Sequence, residues 1–122
     1  MRTLQMTYCR AGHPYPVLIR KGQQPRQLQS QGGLIGVFPE THFEQDTIQL
    51  QHGDKLFIYS DGGENVVGGF NEKNEFAFSE EFRSIVHLPL DSMMQSFDLL
   101  AKNNHVSPQE VDDVTAIALE IV

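Results

Sequence analysis

Hydrophobic positions along the chain change their period twice. From residue 4 to residue 60 they come in short runs and alternations bounded by glycine, proline and polar turns, which predicts strands. "LQMTYCRAG" (4–12) alternates loosely and closes on Gly12. "PVLIRKG" (16–22) predicts a second strand ending in a Lys-Gly turn, and "PRQLQ" (25–29) returns as a short polar edge partner. "GGLIGVFPE" (32–40) is apolar but glycine-rich and reads as a buried irregular connection. "FEQDTIQLQHGD" (43–54) has an imperfect period of two and ends at His52-Gly53-Asp54. That tight turn leads into "KLFIYS" (55–60), so the two runs are expected to pair as a hairpin.

Beyond residue 60 the period lengthens. "GGFNEKNEFAF" (68–78) reads as a polar, glycine-bearing loop. Ser79 before Glu80, Glu81 and Phe82 has the form of an N-cap followed by first-turn acids, predicting the helix "EEFRSIVHL", which stops before Pro89. Asp91 is expected to cap a second helix, "SMMQSFDLLAKNN" (92–104), whose apolar face is Met93, Met94, Phe97, Leu100 and Ala101. "VTAIALEIV" (114–122), after "SPQEVDD" (107–113), predicts a last strand. Strands, then two helices, then a strand describe an α+β domain with a mainly antiparallel sheet.

Composition narrows the class. At 122 residues, 39% hydrophobic and 20% charged, the chain is one domain at most with a modest core. No apolar run approaches the roughly 20 residues of a membrane span, and Met1 to Tyr8 lacks a signal-peptide core, so no membrane partner is expected. Nine basic against 16 acidic side chains leave a net charge of −7, which argues against nucleic acid and favours cations or basic partners. A single cysteine, Cys9, cannot form an internal disulfide, which fits a reducing cytoplasm. Cys9 itself reads as a buried apolar thiol.

The candidate chemistry lies at carboxylates. The strand 55–60 runs toward Asp61, and the strand 114–121 runs away from Asp112 and Asp113. If the two are antiparallel neighbours, all three carboxylates meet at one rim, where they repel unless protons or cations intervene. Hard oxygen ligands suit Mg²⁺ or Mn²⁺. A turn-only role for Asp61-Gly62 and a strand-start role for Asp112-Asp113 account for the same residues. His42, His52, His87 and His105 lack metal-ligand spacing and read as surface or loop residues. "DGGENVVGGFNEKNE" does not place its oxygens in EF-hand register.

"AGHPYPVLI" (11–19), "GGLIGV" (32–37), "LQHGDKLFIYSDG" (50–62) and "EVDDVTAIALEI" (110–121) occur together in one order. In that order they resemble the C-terminal half of a PPM-type (protein phosphatase type 2C-like) metal-dependent Ser/Thr phosphatase of the SpoIIE-like bacterial branch. The resemblance runs from about Leu4 to Val122, as one partial domain over residues 1–122. It implies part of an α/β/β/α sandwich, a cytoplasmic phosphoprotein phosphatase of bacterial signalling or partner switching, and a phosphoprotein substrate such as an anti-anti-sigma-like protein. It also implies that Asp61 and Asp112 are metal ligands for Mn²⁺ or Mg²⁺, with Asp113 orienting the shell. Such chemistry needs no protein nucleophile, because two divalent ions activate the attacking water. The turn at His13 is architectural in that family, although a histidine suits a general acid.

The departures also shape expectations. The family's N-terminal Gly-Asp-x-x-Gly-His-Gly motif, which supplies a bridging aspartate, does not occur in these residues. "DGGEN" is about one residue tighter than the usual pattern, so Glu64 is not equated with the family glutamate. The chain alone is therefore expected to hold at most one ion weakly and to hydrolyse little p-nitrophenyl phosphate. Half a sandwich is also expected to leave Leu56, Ile58, Ala116 and Ala118, or their alternates, uncovered, favouring homo-oligomers or pairing with an N-terminal segment. The alternative reading is a non-catalytic subdomain of the same fold that binds a partner protein.

Overall fold

The computed structural model describes residues 4–9, 14–29, 45–103 and 114–122. The strands are β1 (Gln5–Cys9), β2 (Val17–Ile19), β3 (Arg26–Gln27), β4 (Gln45–Gln49), β5 (Lys55–Tyr59), β6 (Gly68–Phe70), β7 (Phe76–Phe78) and β8 (Ala116–Glu120). A 3₁₀ turn, Asp61–Gly63, and the one-turn helix α1 (Glu64–Val67) follow β5, and α2 (Glu80–Ile85) and α3 (Leu90–Asn103) precede β8. The central sheet has the order β3-β2-β5-β8 and is antiparallel throughout. A β1–β4 ribbon and a β6–β7 hairpin stand apart from it.

Alternation along β5 sorts the layers. Phe57 and Tyr59 face the helices, where they join Val17, Ile19, Phe82, Met93 and Phe97 in the main core. Leu56 faces the other way into a second cluster with Leu18, Leu28 and Leu50, against which Met6, Tyr8 and Ile48 of the ribbon pack. The result is helices, sheet and ribbon in three layers, an α+β arrangement as expected. Leu56 is covered, and Ala116 and Ala118 pack against the helix-side core. The uncovered apolar positions are instead their alternates on β8, Ile117 and Leu119, about half exposed at 55% and 51%.

The expected hairpin between 43–54 and 55–60 is corrected. β4 pairs antiparallel with β1, from Gln5↔Gln49 to Cys9↔Gln45, while β5 lies between β2 and β8. Residues 50–54 form an arch that steps from one layer to the next, because Leu50 must bury between them. Asp54, 1% exposed, pins this arch: its carboxylate accepts from the Gln51 amide at 2.8 Å and from the Arg20 guanidinium at 2.8 and 3.0 Å. That guanidinium holds the Asp54 carboxyl below its ordinary range, against the opposing effect of burial.

The expected loop 68–78 is instead a hairpin, with Gly68↔Phe78 and Phe70↔Phe76 paired. Its tip is closed by Asn71, whose Oδ1 accepts from the amides of Lys73 and Glu75, and by Asn74 in the left-handed region at φ 61°. Gly68 is required by proximity: a Cβ there would stand 2.3 Å from the Ala77 carbonyl oxygen. Ser79 caps α2 as expected, accepting from the Phe82 amide at 3.1 Å. In α3 the helix opens one residue before Asp91, since the Pro89 carbonyl already accepts from the Met93 amide.

Candidate metal centre

The ladder between β5 and β8 runs from Lys55↔Glu120 to Tyr59↔Ala116, so the two expected neighbours are antiparallel partners. It extends one step further: the Ser60 amide donates to the Thr115 carbonyl at 2.8 Å, and the Thr115 amide donates to Ser60 Oγ at 2.9 Å. Asp61 leaves β5 at this rim, and Val114 opens the described part of the β8 segment. Asp112 and Asp113 lie outside the described residues, as do His13, His42 and His105.

Why the chain turns sharply at Asp61 is local. The Gly63 amide bonds the Ser60 carbonyl at 3.0 Å, and the Glu64 amide bonds the Asp61 carbonyl. Gly63 presses against the core, where a Cβ would meet the Phe97 ring at 3.2 Å and Val114 at 3.5 Å. A backbone seated this closely gives Asp61 a fixed origin, while its side chain stays exposed.

The rim is electrostatically one-sided. Asp61 and Glu64 are exposed carboxylates, and neither has an ion-pair partner among the described residues. Directly beneath, Tyr59 is 2% exposed; burial pushes its phenol up to about 12, with the charges of Glu64 and Asp61 adding to the effect. The donor set suits a hard cation, which would offset that charge. Among the described residues no group of three His, Cys, Asp or Glu side chains gathers to hold one, so Asp61 stands as a single candidate ligand with Glu64 nearby in sequence. His52 and His87 serve the fold, bonding the carbonyls of Val122 and Gln23 at 3.0 Å each. Sequence reasoning did not find Ser60 as a side-chain extension of the ladder or Gly63 as a close-approach position; the Asp-Gly-Gly run was the available signal.

The sequence model of the family described as stage II sporulation protein E (SpoIIE) matches residues 1–122. No curated protein matches by sequence. Among solved structures, the RsbU and RsbW domains of Rv1364c from Mycobacterium tuberculosis match with TM-score 0.70 and 27% identity, covering 97% of this chain and 32% of that one. The PP2C phosphatase domain with a regulatory fragment of SpoIIE from Bacillus subtilis matches with TM-score 0.63 and 21% identity, over 96% of this chain and 34% of that one. RsbX in complex with magnesium matches with TM-score 0.62 and 19% identity, over 95% of this chain and 49% of that one. The chain thus spans between a third and a half of these structures, and its fold is that of a fragment of the PPM phosphatase sandwich.

Proposed function

The chain belongs to the stage II sporulation protein E (SpoIIE) family, and from that premise we propose that it forms the C-terminal part of a metal-dependent protein Ser/Thr phosphatase domain. In this reading Asp61 is a direct ligand of a divalent cation, Mg²⁺ or Mn²⁺, and Asp112 is a second one. The substrate is a phosphoserine or phosphothreonine protein of a signalling or partner-switching pathway. The observation that carries the reading is the exposed Asp61 carboxylate at the end of β5, without an ion pair among the described residues, on a turn held by Ser60 and Gly63 at an acidic rim.

Bound divalent ions would supply an acidified water and charge compensation for the phosphoryl oxygens. The chain's own residues have simpler tasks. Asp61 offers hard oxygen at a position set by the strand, and Tyr59, neutral and buried beneath it, supports the turn without adding charge. Other ligands complete such a site in the whole domain, so activity is proposed for that domain and not assigned to these residues alone.

The test uses the full-length protein with Asp61→Asn, a near-isosteric change at an exposed side chain. Mn²⁺-dependent phosphate release from a phosphoserine peptide should fall by about 100-fold or more, because loss of a direct ligand exceeds the usual outer-shell effect. Thermal stability without metal should stay the same or rise slightly as the acidic rim loses a charge. Full activity and unchanged Mn²⁺ affinity in the variant would remove Asp61 from the site, whereas absence of Mn²⁺-dependent release by the unsubstituted protein would favour a non-catalytic, protein-binding role.

A further inference from the structure

At the end of β5 opposite Asp61 lies a cavity of about 760 Å³, within the range of roughly 300–1,000 Å³ found for small-molecule sites. Six residue steps of nearly extended chain lead from Lys55 to Asp61, on the order of 20 Å, so this space is distinct from the metal rim. One wall is apolar: Ile19 from the end of β2, Leu88 from the connection between α2 and α3, and Leu90 from the first residue of α3. The other side is cationic, with Lys21 and Lys55 against one acid, Glu120.

That balance is unusual for a chain of net charge −7. Lys55 is 7% exposed, on the same face of β5 as Phe57 and Tyr59. Its ammonium donates to the carbonyls of Val86, at 2.9 Å, and Leu88. An ammonium has three donors, and the described residues accept from two. Glu120 stands opposite in the ladder, yet the buried ammonium has no ion pair among the described residues. Burial lowers the Lys55 pKa, and the charge of Glu120 offsets this only in part.

The mouth is held open and in place. Gly22 and Gly53, at φ 78° and 90°, line it, and beyond their chain neighbours no atom of the described residues lies within 4 Å of where either Cβ would be. His87 Nε2 bonds the Gln23 carbonyl at 3.0 Å, tying the helix connection to the turn after β2.

We propose that this cavity is a binding site for a small amphipathic carboxylate, its apolar body on Ile19, Leu88 and Leu90 and its head received by Lys55 and Lys21. Inorganic phosphate would leave the apolar wall uncovered, and an amine would meet two like charges. A carboxylate with a short hydrocarbon body satisfies both halves of the lining.

Octanoate is the probe, titrated into the full chain and followed by ¹H–¹⁵N correlation spectra. The backbone amides of Gly22, Gly53 and Leu88 should shift saturably with a Kd of about 1 mM or tighter, the affinity expected for a ligand of this size. Octanol and octylamine should bind about tenfold more weakly or not at all, since each lacks the anionic head. Lys55 also holds the helix connection, so the exposed Lys21 is the residue to change: Lys21→Glu should weaken octanoate about fivefold without altering Tm. Absence of saturable shifts, equal binding of octanol, or unchanged affinity in Lys21→Glu would each overturn the proposal. Because none of these readings involves Asp61 or catalysis, the outcome is separate from that of the phosphatase assignment.

Discussion

The Arg20–Asp54 pair is where a single substitution should cost the fold most for its size. Asp54 is 1% exposed, and Arg20 is 21% exposed. Removing the acid by Asp54→Ala frees a guanidinium that can partly rehydrate, which places the loss at the low end of the range for a broken buried pair, about 3 kcal/mol. Arg20→Ala is worse. It leaves the carboxylate in the interior with the Gln51 amide at 2.8 Å as the one remaining partner of that side chain among the described residues, and it removes the bond from Arg20 Nη2 to the Gln49 carbonyl at 3.0 Å. About 4 kcal/mol is expected there. Once Arg20 is gone, removing Asp54 as well should cost almost nothing more, giving a coupling of about 3 kcal/mol in a double-mutant cycle. Urea denaturation of the four proteins, followed by circular dichroism, measures it. The exposed pair Lys102–Asp98, at 2.8 Å with side chains 69% and 61% exposed, is the internal control. Its equal length but greater exposure should leave its coupling near the detection limit. A coupling below about 1 kcal/mol for Arg20–Asp54 would refute the idea that this pair pins the arch between layers.

Three further outcomes follow from the same contacts. Because the folded Asp54 pKa lies below its ordinary value, its contribution should be complete above about pH 4 and fade as pH drops through the lower folded value; acid titration of the Asp54→Ala variant should lack this component. Gly68→Ala must displace both the Ala77 carbonyl, 2.3 Å from the new Cβ, and the Phe76 ring, 2.8 Å away; a loss of about 2–3 kcal/mol is expected in thermal unfolding, whereas Gly69→Ala, with no atom of the described residues beyond its chain neighbours within 4 Å, should be mild. Ser79→Ala removes both the acceptor for the Phe82 amide and a donor to the Val66 carbonyl at 2.7 Å, so about 1–2 kcal/mol should be lost, with early amide exchange at the start of α2 as the residue-level readout.

Much of the fold was legible from local chemistry. Ser79 announced α2, since a hydroxyl before two acids satisfies amides that any helix start leaves open. The spacing of Met93, Phe97 and Ala101 identified the buried face of α3, and all three are buried. The run Leu56 to Tyr59 marked a strand, and its lack of polar alternation fits its place inside the sheet, where both faces are covered. Asp61 was singled out for the same reason: a carboxylate stands out where such a strand ends. The β2–β3 and β5–β8 pairings were legible too, but the partner of β4 was not. The turn at His52-Gly53-Asp54 looks the same whether the chain doubles back in one sheet or crosses to another. The choice belongs to Leu50, which buries with Leu18, Leu28 and Leu56, and to Arg20, 34 residues from Asp54 in the chain. The hairpin at 68–78 was hidden because asparagines and glycines serve loops and tight strand connections alike, and only the pairing of Phe70 with Phe76 distinguishes them. The cavity beside Lys55 needed three separate segments to converge on one lysine. Local sequence determines which backbone groups a segment can satisfy by itself; contacts between distant segments are determined by which side chains must leave water together, and that is decided only when the layers close.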